Sequence, residues 1–279
     1  MRKNLKLAIA RPVGGGYEHP DCGTYVAMTS VDACQLESFD AADHICPQKN
    51  RILEARNWIV KKAIDIEADY LLMVDPDMCP DVEHNGPNYR PFFTSSFEFL
   101  EQLYAGHHGF PAGTPGVIAA PALSGPPEFK CNVFEPTNVK GGIRRISQSE
   151  ARDRRGQIER VALIGTGLIL IDMKVFEKVK VPWFDDMYKS PLKETVWTTQ
   201  DSYFCNNCNE NGVPVWCNWY SWAAHWKMTR VDRPDDLIIE KTKRNKRFDT
   251  LRGLNDITCH RAFTKQQTLV PGQDMGTRR

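Results

Sequence analysis

The feature that most constrains the fold of this chain is a run of five apolar residues, Tyr70-Leu71-Leu72-Met73-Val74, followed at once by acidic residues. A continuous apolar run of this length is typical of a strand that is buried on both faces of a sheet. In the preceding segment, 50–66, apolar residues recur at helical spacing between charged ones, which predicts an amphipathic helix. A helix that leads into a buried strand favours an α/β fold with a mixed, mostly parallel sheet flanked by helices.

Further segments extend this alternation of strands and helices. Strands are predicted over 5–10, 116–120 and 213–219, and a helix is predicted over 202–210. The sequence Ser95-Ser96-Phe97-Glu98 has the capping-box pattern and predicts the start of another helix.

Two segments are less regular. The apolar segment 161–172 predicts a strand interrupted by Gly165-Thr166-Gly167, where missing side chains let a ligand or a second backbone come close, with a β-bulge as the simpler alternative. The segment 124–160 is rich in proline, glycine and charge, which predicts a long excursion or a mobile lid. The basic residues considered for the lid are Lys140, Arg144, Arg145, Arg152, Arg154 and Arg155.

Composition and charge exclude several classes of protein. The 279 residues carry 36 basic and 35 acidic side chains, so the net charge of +1 provides no global attraction to nucleic acid or anionic lipid. Apolar stretches such as 161–171 are shorter than the roughly 20 residues of a membrane-spanning helix. The basic N-terminus runs into Arg11-Pro12 before a signal-peptide core forms, which predicts a cytoplasmic protein with reduced thiols. We expect a single domain over 1–230 and a C-terminal extension over 231–279.

Two carboxylates, Asp75 and Asp77, follow the buried strand directly as Asp75-Pro76-Asp77. In open α/β sheets ligands bind just beyond the carboxyl ends of the strands. Two carboxylates one residue apart can converge on a hard divalent cation, which can in turn bridge the oxygens of a diphosphate. A solvated turn is the commoner role of an Asp-x-Asp sequence. The apolar strand favours the metal hypothesis, because such a strand rarely ends in two acids without a counter-charge.

Four segments together resemble the GT-A-type nucleotide-sugar glycosyltransferases, in the order that this family has them. The first is Arg56-Asn57 in a helix, followed by the strand and acids at 68–78. The others are the Gly-rich segment 165–171 with Val175-Phe176, the acidic helix start at 200–205, and the strand at 216–225 that leads to a late histidine. The resemblance covers about residues 5–230 and implies a GT-A-like, Rossmann-like fold.

The resemblance implies a role for each matching residue. Asp75, Asp77 and His225 would hold the metal, and an imidazole beside two carboxylates suits Mn²⁺, with Mg²⁺ as the alternative. Asp201 is implied as the general base that takes a proton from the acceptor hydroxyl. The residues implied in binding the nucleoside-diphosphate sugar are Arg11, Pro12, Arg56, Asp75, Gly165, Thr166 and Gly167.

Several of these residues have a simpler structural alternative. His225 is equally well a partly buried histidine bonded to the backbone, Asp201 a helix N-cap, and Arg56 an ordinary surface arginine on an amphipathic helix. Gln200 stands where the family commonly has a first acidic residue, so the sequence leaves open whether the transfer inverts or retains the anomeric configuration.

Three cysteines, Cys205, Cys208 and Cys217, are candidates for a zinc site. Structural zinc takes four ligands, and the sequence has no clean second pair. On a helix the first two thiols would share one face, which is equally consistent with core residues.

The sequence predicts a metal-dependent glycosyltransferase that moves a sugar from a nucleoside-diphosphate donor to an acceptor hydroxyl. The acceptor stays open between a glycan, a protein, a lipid and a hydroxylated DNA base. A sugar-phosphate nucleotidyltransferase is an alternative with the same general fold, although Gly14-Gly15-Gly16 lacks the nearby lysine expected of its phosphate loop. A non-catalytic carbohydrate-binding module with this fold is the third alternative.

Overall fold

The structure is a computed structural model of the chain. It describes residues 2–12, 18–47, 51–81, 89–124, 129–139, 142–188, 196–226 and 230–231. The predicted C-terminal extension lies outside these residues beyond Val231, so the domain boundary at residue 230 stays a prediction. No helix within the described residues combines the length and apolar character needed to cross a membrane.

The described residues alternate between short strands and helices. In chain order the strands are β1 Leu5–Ala10, β2 Phe39–Ile45, β3 Tyr70–Val74, β4 Met78–Pro80, β5 Val117–Ala119, β6 Val133–Pro136, β7 Ile143–Arg145, β8 Ile158–Arg160, β9 Leu163–Ile164, β10 Leu168–Asp172, β11 Met187–Tyr188, β12 Val196–Thr198, β13 Val215–Asn218, β14 Ala223–Trp226 and β15 Arg230–Val231. The helices are α1 Pro20–Gln35, α2 Ile52–Asp65, α3 Phe92–Tyr104, α4 Gln148–Asp153, α5 Val175–Lys178 and α6 Gln200–Glu210.

Seven of these strands form the central sheet, in the spatial order β2-β1-β3-β10-β5-β13-β8. Strands β1, β2, β3, β5 and β13 run in one direction, and β10 and β8 run antiparallel to them. This confirms the predicted α/β fold with a mixed, mostly parallel sheet. Every side chain of β3 is fully buried, as the apolar run predicts.

Helices cover the sheet with the faces that their apolar spacing predicts. On α2, Ala55, Ile59 and Ala63 recur at helical spacing and are fully buried. On α3, Phe97 packs against Tyr70 of β3, with the ring centroids 5.3 Å apart. The aromatic residues of α3 and alternate residues of β3 belong to one hydrophobic cluster, so the core lies directly behind the end of β3.

The predicted helix start at Ser95 is wrong. Helix α3 begins at Phe92, and Ser95 lies inside it, where its hydroxyl donates to the Pro91 carbonyl at 2.7 Å. A distant residue stabilises the true start, because Asp81 Oδ2 accepts a hydrogen bond from the Phe92 N–H at 2.8 Å. Local sequence carries no signal for a partner that comes from another segment.

The segment 124–160, predicted as a long excursion or a mobile lid, forms β6, β7, α4 and β8 in the residues described, and β8 pairs with β13 at the edge of the central sheet. Strands β6 and β7 belong to a separate sheet, which agrees with an excursion from the central sheet, and the mobility of a lid stays a prediction. Arg154 is paired within the segment: it donates to Glu135 at 2.5 Å and to Glu159 at 3.0 Å. Lys140 lies outside the described residues.

The apolar segment 161–172 is two strands rather than one interrupted strand. Strand β9 belongs to a separate sheet of order β7-β6-β9, whereas β10 lies in the central sheet. The Gly165-Thr166-Gly167 segment is therefore the connection between two sheets, and this connection runs beside the end of β3.

Candidate active site

A cavity beside the end of β3 gathers half of the predicted site residues. Its volume is about 510 Å³. Asp75, Asp201 and His225 line it, together with Gly165 and Gly167. The structure therefore brings five predicted residues to one cavity, at the place where open α/β sheets bind ligands.

The two glycines of the connection are required by close contacts. The Asp75 N–H donates to the Gly167 carbonyl at 2.7 Å, which joins the end of β3 to the start of β10. A Cβ atom at Gly167 would lie 2.2 Å from Met78 Cε, and one at Gly165 would lie 2.3 Å from Asn132 Nδ2. A side chain at either position would displace a neighbour that lines the cavity.

A buried arginine connects the two carboxylates of the cavity. Arg56 is 2% exposed, so the alternative of an ordinary surface arginine is wrong. Its Nη2 donates to both oxygens of Asp75, at 2.9 and 2.8 Å, and its Nη1 donates to Asp201 Oδ1 at 2.6 Å. Burial lowers the pKa of the guanidinium, but Asp75 and Asp201 raise it by more, so Arg56 stays charged. Burial also raises the pKa of Asp75, although Arg56 opposes that shift.

Asp201 combines one fixed oxygen with one open oxygen. It lies in the first turn of α6, whose N-cap is Thr199, so the N-cap alternative for Asp201 is wrong. Its Oδ1 accepts hydrogen bonds from Arg56 and from the buried hydroxyl of Thr166, at 2.6 and 2.5 Å. Its Oδ2 accepts none from the described residues, and the side chain is 32% exposed. A carboxylate held in this way has the geometry of a general base.

His225 on β14 faces Asp77, which directly precedes the neighbouring strand β4. His225 Nδ1 donates to the Leu123 carbonyl at 3.2 Å, because a carbonyl oxygen has no proton to give. In the neutral imidazole Nε2 therefore carries a lone pair, and it lies 3.1 Å from Asp77 Oδ2, which also presents lone pairs. Two such acceptors need either a proton or a metal ion between them.

The metal hypothesis fits this pair better than the full set of three residues. No three His, Cys, Asp or Glu side chains of the described residues are grouped to hold an ion, and Arg56 occupies both oxygens of Asp75. Asp77 and His225 do fit, because a metal-bound histidine ordinarily donates its other N–H to a carbonyl or carboxylate. A cation such as Mg²⁺ is often held by one or two protein ligands, with phosphates and water completing its shell. The metal roles of Asp75, Asp77 and His225 stay predictions.

The other predicted donor-binding residues do not line this cavity. Arg11 Nη1 donates to both carboxylate oxygens of Glu18, each at 2.7 Å, and Pro12 is buried. Arg56 and Thr166 contact the carboxylates, and neither is among the described residues that form the cavity surface. Contact of Arg11, Pro12, Arg56 and Thr166 with a donor stays a prediction.

One wall of the cavity was not predicted from the sequence. Lys130, Asn132, Phe134 and Arg145 line it. All four lie in the segment 124–160, for which an excursion or lid is predicted, and none of them lies in a recognisable motif. The alternation of β6 and β7 is the signal that places Phe134 and Arg145 on one face, and these strands are too short to stand out in the sequence.

The three candidate zinc ligands are core residues. Cys205, Cys208 and Cys217 are buried free thiols. Burial raises the pKa of Cys205 to about 12, which disfavours the thiolate that binds metals. The described residues contain no cluster of ligands around them.

Comparisons with known proteins assign no family to this chain. No family model and no curated protein matches its sequence. Among solved structures the chain is similar to A197 from STIV, with a TM-score of 0.49 and 12% identity over 82% of this chain and 94% of that one. It is also similar to GalNAc-T7 with UDP, GalNAc and Mn²⁺, with a TM-score of 0.38 and 11% identity over 80% of this chain and 44% of that one. A third structure, described as a glucose-1-phosphate thymidylyltransferase from Bacillus anthracis in complex with a sucrose, has a TM-score of 0.35 and 11% identity over 79% and 89% of the two chains. These TM-scores are below 0.5, so the likenesses carry no functional argument.

Proposed function

We propose that this protein is a glycosyltransferase that moves a sugar from a nucleoside-diphosphate donor to an acceptor hydroxyl. The observation that carries the proposal is the coupling of Asp75 and Asp201 through buried Arg56 at one cavity. Burying an arginine between two carboxylates is costly, so the position of Arg56 beside an open cavity supports a catalytic role for the carboxylates. The motif resemblance supports the same class of reaction.

Asp201 is the base in this mechanism. Arg56 and Thr166 hold its Oδ1, so its Oδ2 is the atom that receives the proton of the acceptor hydroxyl as the hydroxyl attacks the anomeric carbon. Arg56 is a positioning residue, because it holds the base at a fixed place relative to the cavity without lining the cavity itself.

Asp77 and His225 are the residues that would hold Mn²⁺ or Mg²⁺. A divalent cation, when bound, neutralises the charge that develops on a diphosphate leaving group. The chain contributes a fixed pair of acceptors for such a cation. Nδ1 of His225 is bonded to the Leu123 carbonyl, and this bond directs Nε2 towards Asp77 Oδ2.

An assay of the full chain tests the proposal. The protein is incubated with a panel of nucleoside-diphosphate sugars, with Mn²⁺ or with EDTA, and the released nucleotide is measured. We expect free nucleoside diphosphate from at least one donor in Mn²⁺ and none in EDTA. Pyrophosphate formed from a nucleoside triphosphate and a sugar phosphate would instead indicate a nucleotidyltransferase. No nucleotide release from any donor would contradict the proposed sugar transfer.

A further inference from the structure

We propose that the unpredicted wall of the cavity binds the negatively charged group of an anionic acceptor. This wall consists of Lys130, Phe134 and Arg145, and we call it the basic wall. The inference rests on the proposed function, because it assigns a substrate class to the same cavity. The shared chemistry of the acceptor is a phosphate or a carboxylate attached to a ring that carries the reacting hydroxyl.

Strand pairing directs the basic wall towards the cavity. In the β6–β7 hairpin Phe134 pairs with Arg145 and Glu135 pairs with Arg144. Because successive residues of a strand face opposite sides, the first pair lies on the cavity side and the second on the outer side. Phe134 and Arg145 both line the cavity, as this alternation requires.

The two faces of the hairpin differ in how their charges are matched. On the outer face Arg144 forms ion pairs with Glu135 and Glu150. On the cavity face Arg145 forms no ion pair with a carboxylate of the described residues. Its guanidinium carbon lies 4.8 Å from the centroid of the Phe134 ring. A guanidinium stacked on a ring keeps the N–H groups at its edge available, and these match the oxygens of a phosphate or carboxylate.

Lys130 is a second basic residue of the same wall. Its backbone N–H donates to Ser124 Oγ at 2.8 Å, and its carbonyl accepts from the Ser124 N–H at 2.8 Å. These two bonds hold the backbone of Lys130 against Ser124, and both residues line the cavity.

The carboxylates of Asp75 and Asp201 line the same cavity. They repel an anionic group that the basic wall attracts, so the two sets of charges orient an anionic acceptor. Its charge lies against Arg145, and its hydroxyl is directed towards Asp201. The ring of the acceptor, which joins the charged group to the hydroxyl, lies against or beside the Phe134 side chain. A volume of about 510 Å³ is in the range of cavities that enclose ligands of this size.

Calorimetry on the full chain tests this inference without relying on turnover. The probes are methyl glucoside, glucose 6-phosphate and glucuronate, each titrated in the presence of nucleoside diphosphate and Mn²⁺. We expect at least one charged probe to bind about tenfold or more tightly than the neutral one, as for hydrogen bonds to charged groups. The charged probe that binds more tightly shows whether phosphate or carboxylate is preferred.

Two substitutions in the same hairpin provide the matched comparison. We expect Arg145→Gln to remove the preference for the charged probe, and Arg144→Gln on the outer face to keep it. Nucleoside diphosphate affinity should be unchanged in both variants.

Equal binding of charged and neutral probes, or no binding of any probe, would overturn the inference. Weakened nucleotide binding in Arg145→Gln would also overturn it, because the basic wall would then serve the donor. The proposed function fails separately, through the absence of nucleotide release from every donor.

Discussion

The central sheet carries the same set of groups, one arginine and two carboxylates, at both ends of its middle strands. We call Arg56, Asp75 and Asp201 the site cluster, and Arg2, Glu101 and Asp172 the far cluster. In the far cluster Arg2 Nε donates to Glu101 Oε1 at 2.8 Å, and Arg2 Nη2 donates to Asp172 Oδ2 at 3.0 Å. Asp172 ends β10 opposite Tyr70, the first residue of β3, whereas Asp75 follows the last residue of β3.

The carboxylates of the far cluster are more deeply buried than those of the site cluster, although Arg2 and Asp172 border a cavity of about 310 Å³. The side chains of Glu101 and Asp172 are 3% and 1% exposed. Each carboxylate has a further donor, because the Tyr70 hydroxyl bonds to Glu101 at 2.8 Å and the Lys174 N–H bonds to Asp172 at 2.9 Å. These bonds hold Arg2 against the sheet, and both carboxylates are hydrogen-bonded within the protein.

The site cluster is open. The side chains of Asp75 and Asp201 are 18% and 32% exposed and line the cavity. Arg56 Nε is buried and has no hydrogen-bond partner among the described residues. In the far cluster the carboxylates are buried and hydrogen-bonded, so the charged groups stabilise the fold. In the site cluster the carboxylates are partly exposed to the cavity, so the same kinds of group are available for chemistry.

The same amide substitution at the two ends should have the most different effects on activity. We expect Asp201→Asn to lower kcat of sugar transfer by about 10²- to 10⁴-fold, because it removes the proposed base. Asp172→Asn in the far cluster should leave kcat nearly unchanged. Steady-state assays of both variants check this. Comparable losses in the two variants, or an active Asp201→Asn protein, would remove the distinction between the clusters.

Removing the arginine should cost more stability at the site cluster. We expect Arg56→Met to lower the free energy of unfolding by about 3 kcal/mol, because it leaves two neighbouring carboxylates without a counter-charge. Arg2→Met should cost about 1–2 kcal/mol, since Arg2 is partly exposed and its carboxylates keep other donors. Urea unfolding at neutral pH measures both values. A larger loss of unfolding free energy for Arg2→Met than for Arg56→Met would contradict this prediction.

Two single carboxylates, Asp81 and Glu101, should respond to pH with opposite signs. Burial raises the pKa of Asp81 to about 6, although Ser221 and the Phe92 N–H oppose the shift. The folded chain therefore binds this proton more tightly than the unfolded chain, so stability from Asp81 falls as pH rises from about 4 to about 6, by about 1–2 kcal/mol.

At the far end the pKa of Glu101 is lowered: burial raises it, but the bonds from Arg2 and Tyr70 outweigh burial. Its stabilising contribution is present above the unfolded pKa and is lost as pH falls through the folded one. Unfolding of the wild type against Asp81→Asn and Glu101→Gln, measured across this range, should give difference curves of opposite slope. Parallel curves would contradict the assignment.

The smallest expected difference is between alanine substitutions at two glycines, Gly116 beside the far cluster and Gly167 beside the site cluster. A Cβ at Gly116, whose carbonyl accepts from the Asp172 N–H, would lie 2.6 Å from Leu103 Cδ2 in the packed core. We expect Gly116→Ala to cost about 1–3 kcal/mol through overpacking. Gly167→Ala should cost less, about 1 kcal/mol, because Met78 can move into the cavity, and it should instead weaken nucleotide binding. Thermal unfolding and calorimetry on both variants test this, and a Gly167→Ala protein with unchanged nucleotide affinity would be evidence against it.

The sequence predicts the framework of the site better than its contacts. The apolar run of β3 and the spacing of α2 are local patterns, so the position of Asp75 at a strand end follows from them. The bond from Arg56 to Asp201 joins residues 145 positions apart, and no local pattern indicates such a partner. The ion pairs of the charged segment 124–160 could not be predicted for the same reason: Arg154 is paired with Glu135 and Glu159 once the strands form, whereas in the sequence its charge suggests exposure.

The proposed reaction depends above all on a nucleoside diphosphate bound in this cavity through a divalent cation on Asp77 and His225. Calorimetric titration of nucleoside diphosphate into the wild type and into Asp77→Ala, each with Mn²⁺ and with EDTA, measures this binding, and thermal unfolding checks that the variant is folded. We expect the wild type to bind in Mn²⁺, and we expect binding to be lost both in EDTA and in the folded variant. Equal affinity in all four titrations would show that neither the cation nor Asp77 holds the nucleotide.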